Sequence, residues 1–145
     1  MSRAILVALG ALHLEEIEKN LDEANQFDKE TRNAFARDLL LTYLQIEIYR
    51  DAIDGQEKLE SLLSYSVAKR HEALQAGATS RSDPLWNVSA CMETALQTEI
   101  LANRDARTRA IAKEVKKALS TFVDENLSPS EMRELRDFVV NSLEG

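Results

Sequence analysis

The sequence predicts an all-α protein, a mostly antiparallel bundle of five helices, or six if the fourth is broken, without a β-sheet. Glycine and proline together number only six among 145 residues, whereas average usage gives roughly 17 in a chain of this length. Apolar side chains recur at three- and four-residue steps, the spacing of amphipathic helices. The stretch Leu44 to Ile48 alternates like a strand, but no second stretch is suited to pair with it, and we interpret it as helix.

A single helical domain over residues 1–145 is expected, because a chain of this length forms one hydrophobic core. The lone cysteine, Cys91, excludes an internal disulfide and fits a reducing compartment, so we predict a cytoplasmic protein. The alternative is export by an atypical N-terminal leader, because an apolar run from Ala4 to Leu14 follows Arg3. That run is far shorter than the roughly 20 apolar residues of a spanning helix, and we expect no membrane contact.

The first half of the chain contains three predicted helices. The first covers Ser2 to Ala24. The second covers Lys29 to Asp54, with Asp28 as its N-cap. Gly55 is expected in the left-handed conformation that closes this second helix. The third helix then covers Gln56 to Ala76.

The second half begins after a loop of turn-forming residues, 77–83, which divides the chain into two helical halves. Asp83 and Pro84 form a start signal for a fourth helix that runs from Pro84 to Asn126. Its early and late apolar stripes are out of phase by about a quarter turn, which predicts a kink or a break near Leu101 to Asp105. The two stripes are Leu85, Val88, Met92 and Leu96, and Ile111, Val115, Leu119 and Phe122.

The last helix, Pro129 to Glu144, has the clearest start signal of the chain. Ser128 and Glu131 match a capping box, in which each side chain binds the other residue's amide, and Pro129 occupies the first helical position. One apolar stripe predicts that this helix packs on the rest of the bundle. The stripe consists of Met132, Leu135, Phe138, Val139 and Leu143.

The first and second helices are each apolar on two sides. Such a helix is either central to a bundle or shared between subunits. Two of them offer more apolar surface than one small monomer is expected to cover, and we therefore predict a homodimer. The predicted interface consists of Ile5, Leu9, Leu12, Leu40, Leu44 and Ile48.

Catalytic and metal-binding motifs are missing from the sequence. It contains no phosphate-binding glycine loop, paired CxxC, HExxH or nucleophile elbow, so we favour a protein that is not an enzyme and has no cofactor, and keep an enzyme as the third alternative. Neither His13 nor His71 follows a glutamate at the spacing used by di-iron bundles, and nothing in the pattern brings the two together. We predict no metal site.

Glu99 is the acidic residue of greatest interest, because it projects on the same side of its helix as the early apolar stripe. A buried carboxylate must be paired or its pKa rises. One interpretation is a structural ion pair with Arg50 or Arg70. The other is a ligand pocket, whose predicted residues are Glu99, Tyr43, Tyr65, His13 and His71.

Residues 104–117 form a basic island, with six basic and two acidic side chains, in a chain whose net charge is −7. Helical projection places its cations opposite an apolar stripe. An acidic protein without aromatic residues between these cations is a poor nucleic-acid binder. The island therefore either offsets acidic neighbours or contacts a partner protein. The predicted partner-binding residues are Arg109, Lys113, Lys116 and Lys117.

These observations predict a helical interaction or regulatory protein, of adaptor, inhibitor or immunity type, that acts through surface contacts as a homodimer with an unidentified protein partner. The alternative is a small-ligand-binding bundle with its pocket near Glu99, Tyr43 and Tyr65.

Overall fold

The computed structural model describes the backbone of residues 3–77 and 80–144 and the side chains of residues 12–77 and 80–142. Over these residues the chain forms a bundle of helices and no strand, which confirms the predicted all-α fold. None of the helices in these ranges is both long and apolar enough to span a membrane. The helices are α1 (Arg3–Ala24), α2 (Lys29–Arg50), α3 (Gly55–Gln75), α4 (Pro84–Arg104), α5 (Arg109–Asn126) and α6 (Pro129–Glu144).

Two helices, α2 and α4, form the centre of the bundle. Helix α4 packs against α1, α2, α3 and α5, and α2 packs against α3, α4, α5 and α6. The two apolar sides of α2 therefore contact helices of the same chain. Leu39 and Ile46 are fully buried there, and Leu44 is only 5% exposed. Of the two interpretations of α2, central position accounts for most of its apolar surface.

The fourth predicted helix is two helices separated by a short turn. Helix α4 ends at Arg104, Asp105 is extended, and a 3-10 turn leads into α5 at Arg109. The Asp105 carboxylate accepts the Arg107 amide, and its carbonyl accepts the Thr108 hydroxyl at 2.7 Å. The break lies at the end of the predicted region and allows both apolar stripes to reach the core, except that the first member, Leu85, is 42% exposed.

Three predicted helix starts have the expected caps. The Ser128 amide donates to Glu131 Oε1 and the Glu131 amide donates to Ser128 Oγ, both at 3.1 Å. Asp28 accepts the amide three residues later at 2.8 Å. Asp83 accepts the amides two and three residues later at 3.0 and 3.2 Å. These local signals fix where α2, α4 and α6 begin.

The predicted role of Gly55 is wrong. Helix α2 ends at Arg50 rather than Asp54, and Gly55 begins α3 without a positive φ. A Cβ at this position would lie 1.8 Å from the carbonyl oxygen of Tyr49. Gly55 is needed because the backbone of the turn passes too close to α2 for any side chain. Among the glycines whose backbone the structure describes, Gly77 is left-handed, with φ of +92°, just after α3.

Helix α6 packs on α2 with a narrower apolar stripe than predicted. Leu135 and Val139 are buried, but Phe138 is 63% exposed. Polar contacts complete the packing, because Asn33 on α2 donates to Glu131 Oε2 at 2.8 Å and Arg37 lies 3.4 Å from the same oxygen.

Candidate functional site

A cleft opens where the end of α2, the end of α4 and the first half of α5 meet. Its volume is about 440 Å³, which lies within the usual range of small-ligand sites, roughly 300 to 1,000 Å³. The short connection between α4 and α5 brings the start of one helix beside the end of the other. The residues that line the cleft are Arg50, Asp51, Glu99, Ala102, Asn103, Arg109, Ala112, Lys113 and Lys116.

Glu99 is held in this cleft by an ion pair with Arg50. The Glu99 side chain is 7% exposed, and its Oε2 atom lies 3.1 Å from Nη2 of Arg50, which is 39% exposed. This is the ion pair that one interpretation of the sequence predicts. The other candidate arginine, Arg70, pairs with Glu93 instead, at 2.6 Å. Glu99 therefore has its ion-pair partner on a different helix.

The cations of α5 form the opposite wall. Arg109, Lys113 and Lys116 stand at successive three- and four-residue steps on one face of α5 and line the cleft together with Arg50 of α2. The sequence left Glu99 between a structural ion pair and a ligand pocket, and it treated the α5 cations as a separate surface. The structure brings them into one cleft, where four cations and two carboxylates give a net charge of +2.

The α5 cations are weakly paired. Lys116 Nζ lies 3.7 Å from Glu47 Oε1, but both side chains are more than a third exposed, so water screens this contact. Among the described side chains, Arg109 and Lys113 have no carboxylate within 4.0 Å. The positive charge of this wall is therefore available to a ligand.

The rest of the basic island has structural partners or points to solvent. Arg104 pairs with Glu60 of α3 at 2.6 Å, and Arg107 pairs with Asp105 at 2.9 Å. Lys117 is exposed and does not line the cleft. The two interpretations of the island thus apply to different residues: the first part offsets acidic neighbours, and the cations of α5 face a cleft.

Tyr43 lies behind the cleft, between α5 and the buried carboxylate. Its ring is 5.9 Å from Lys116 Nζ, and the residue is 5% exposed. Its hydroxyl has no hydrogen-bond partner among the described residues. Burial and then the nearby Glu99 raise the pKa of Tyr43, so the side chain remains a neutral phenol.

Three residues predicted for the ligand site lie elsewhere. Tyr65 is 54% exposed on α3, with Lys69 Nζ 5.1 Å from its ring. His71 is exposed on the same helix, and His13 is half-buried on α1, where burial lowers its pKa. None of the three lines the cleft. Helical projection shows which side of a helix a residue occupies but not which neighbour it meets, and this accounts for the error.

Some cleft residues had no signal in the sequence. Asp51 was assigned to the interior of a longer second helix, whereas it caps the end of α2. Ala102 and Ala112 line the cleft and leave space that larger side chains would fill. The structure thus adds two small residues, the amide side chain of Asn103 and one carboxylate to the predicted site.

The residues of the predicted dimer interface fall into three groups. The side chains of Ile5 and Leu9 lie outside the described residues. Leu12 and Ile48 are 56% and 39% exposed, and Leu40 is partly buried against the core. Leu44 is buried inside the chain's own core and does not reach the surface.

Within the described ranges, the histidine, cysteine, aspartate and glutamate side chains form no cluster of three or more suited to a metal ion. Comparison with protein-family models, with curated proteins and with solved structures finds no significant match for this chain.

Proposed function

We propose that the protein is a regulatory binding protein of the adaptor or inhibitor type, which recognises an acidic segment of a partner protein at the cleft between α2, α4 and α5. The observation that carries this proposal is the convergence of Arg50, Arg109, Lys113 and Lys116 on one cleft. A partner's carboxylates would compensate cations that the described residues leave largely unpaired.

The charge distribution of the chain supports an oriented encounter. Residues 15–30, along α1 and the turn after it, contain seven acidic and two basic side chains. The cleft is a local positive site in a chain whose net charge is −7. Such segregation favours one orientation of a partner and raises the association rate at low salt.

The reactive groups near the cleft are poorly suited to catalysis. The Glu99 carboxylate is held by Arg50 at 3.1 Å, so it is not free to act on a bound molecule. The raised pKa of Tyr43 disfavours the phenolate base. Cys91 is fully buried, and burial raises the pKa of its thiol to about 12, so a nucleophilic thiolate is disfavoured. These properties favour binding over chemistry.

A labelled oligoglutamate peptide tests the proposal by fluorescence anisotropy. We expect the wild-type protein to bind the peptide, with an affinity that falls as salt is added. Neutralising the α5 wall with Arg109→Gln, Lys113→Gln and Lys116→Gln should reduce this affinity by at least about tenfold, because each lost charged hydrogen bond contributes roughly 1.5 to 3 kcal/mol.

The matched control removes the same charge from outside the cleft. Lys117→Gln, Arg133→Gln and Arg136→Gln change three exposed cations that do not line it. This variant should bind the peptide nearly as well as the wild type. Equal losses in the two triple variants would show that only net charge matters, and the cleft would then not be the recognition site.

A second candidate is the binding of a small anionic molecule, and the cleft volume of about 440 Å³ favours it. A thermal-shift screen with di- and tricarboxylates tests this function. A ligand present at a hundredfold over its dissociation constant adds roughly 2.7 kcal/mol of stability. An equal shift in the α5-neutralised variant would place the binding outside the cleft.

We further propose a homodimer, supported by the exposed Leu12 and Ile48. Because Leu44 is buried in the chain's own core, this support is narrower than the sequence suggested. Size-exclusion chromatography with light scattering should give twice the chain mass of 16.3 kDa. A mass of one chain at all protein concentrations would contradict the dimer.

A further inference from the structure

We propose that the group recognised in the cleft is a phosphate monoester, carried either by a side chain of the partner or by a small molecule. This inference rests on the proposed function, because it names the chemistry that the same cations would bind. It is carried by the net charge of the cleft, the types and positions of its cations, and the start of α5.

Net charge favours a dianion over a single carboxylate. The residues that line the cleft have a net charge of +2. A phosphate monoester has a charge of about −1.5 to −2 at neutral pH and compensates nearly all of the positive charge of the cleft. One carboxylate compensates only half of that charge. Glu47, 3.7 Å from Lys116 at the edge of the cleft, reduces the positive charge only partly, because 49% of its side chain is exposed.

The types and positions of the cations also suit a phosphate. Arg50 comes from α2, whereas Arg109, Lys113 and Lys116 come from α5. A guanidinium binds two oxygens with a planar fork, and an ammonium acts as a compact point charge. A phosphate monoester offers three charged oxygens that point in different directions, so it can contact both walls. A planar carboxylate has only two oxygens.

The start of α5 adds to this positive charge. The helix begins at Arg109, has no acidic residue in its first turn, and receives no side-chain cap from Thr108. Its fourth residue, Ala112, lines the cleft. The positive end of the α5 dipole is therefore close to the cations, and such ends favour phosphate groups. At the starts of α2, α4 and α6 a side chain accepts from the first-turn amides, whereas α3, like α5, has no side-chain cap.

Glu99 has a positioning role in this arrangement. A carboxylate at the bottom of a phosphate site repels the ligand unless a cation neutralises it. The ion pair at 3.1 Å neutralises Glu99 and holds Arg50 at the edge of the cleft, where 39% of the arginine remains exposed. The guanidinium has five N–H donors, and the contact with Glu99 Oε2 uses one of them. Donors on Arg50 are therefore left for the ligand.

Three peptides of one glycine-rich sequence, with serine, glutamate or phosphoserine at the centre, test the inference by isothermal titration calorimetry. The phosphoserine peptide should bind at least about tenfold more tightly than the glutamate peptide, and the serine peptide should bind weakest. Lys113→Gln should reduce the affinity for the phosphoserine peptide about tenfold, whereas Lys117→Gln should leave it unchanged. Circular dichroism checks that both variants are folded.

The results separate this inference from the proposed function. Equal affinity for the glutamate and phosphoserine peptides would overturn the phosphate inference and leave recognition of an acidic partner in place. Binding of a sugar phosphate, with no binding of any peptide, would support the phosphate chemistry and overturn the protein partner. Failure of the phosphoserine peptide, the sugar phosphate and inorganic phosphate to bind would overturn the phosphate inference as a whole.

Discussion

Helix α4 carries two buried glutamates, and each pairs with an arginine from a neighbouring helix in a different way. Glu93 receives a two-pronged contact from Arg70, with Nη1 at 2.6 Å from one oxygen and Nη2 at 3.3 Å from the other, and Gln97 adds a third donor at 3.4 Å. Glu99 has one contact with Arg50 at 3.1 Å. The first pair lies between α3 and α4, whereas the second opens into a cleft with three more cations.

The difference shows how similar residues reach different roles through their surroundings. At Glu93, Oε1 accepts hydrogen bonds from Arg70 and Gln97, whereas Oε2 has an ion contact with Arg70 but no hydrogen bond from the described residues, so the pair joins two helices. At Glu99 the break after α4 and two alanines leave room around the pair. A buried ion pair is thus a closed contact between helices where they pack over it, and it lines a cleft where they do not.

The largest effect is expected from Arg70→Met. The substitution leaves Glu93 buried without its main partner, and removing one member of a buried pair is strongly destabilising. Because Arg70 is 33% exposed, we expect a loss of about 2 to 3 kcal/mol in the free energy of unfolding, measured with urea. A loss below that of Arg50→Met would contradict the structural role of this pair.

A smaller loss, about 1 kcal/mol, is expected from Arg50→Met, because the other cations of the cleft partly neutralise Glu99. The same variant should bind the acidic peptide more weakly, since Arg50 lines the cleft. Urea unfolding and fluorescence anisotropy measure the two effects. If this variant loses as much stability as Arg70→Met, the α5 cations do not reach Glu99.

Glu131 provides a half-buried carboxylate for comparison with the two buried ones. Its hydrogen bond from Asn33, followed by that from the Ser128 amide, lowers its pKa to about 2 from an ordinary value of 4.5. The folded state therefore gains stability from this group above pH 4.5 and loses it as the pH falls toward 2. Glu131→Gln should reduce the acid dependence of the melting temperature in that window. Parallel profiles for the variant and the wild type would exclude this contribution.

The smallest effect on stability is expected from Lys113→Gln. Because Lys113 has no described carboxylate within 4.0 Å and is exposed, its removal should change the free energy of unfolding by less than about 0.5 kcal/mol. Urea unfolding measures this change, and a loss above 1 kcal/mol would indicate a structural partner. If Lys113→Gln weakens peptide binding and leaves the free energy of unfolding unchanged, the cation contributes to binding, whereas the Arg70 pair at Glu93 contributes to stability.

Much of the fold follows from local rules in the sequence. The capping residues Asp28, Asp83 and Ser128 mark helix starts because they bind amides only two or three residues away. The phase shift between two apolar stripes predicted the break before α5, since the phase of a stripe also depends only on residues close together in the chain. One interpretation of the sequence paired Glu99 with Arg50 or Arg70, because a buried charge needs a partner, and the structure shows Arg50.

The errors concern contacts between distant segments. Tyr65 and His71 were grouped with Glu99, but which helix faces which depends on how the whole bundle packs. The close passage of the backbone at Gly55 depends on the Tyr49 carbonyl, and no composition rule reveals it. The cleft forms where three helices meet. The sequence therefore identified the cations of α5 as a group, but it did not predict that they lie beside Glu99.

The weak pairing of the α5 cations has a consequence for protein engineering. The side chains of Arg109 and Lys113 form no ion pair with the described residues. Their replacement should therefore alter ligand preference with little loss of stability. Glutamate at both positions would change the net charge of the lining from +2 to −2, because each exchange replaces a cation with an anion. The bundle would then serve as a scaffold whose selectivity for anions or cations is set by two residues.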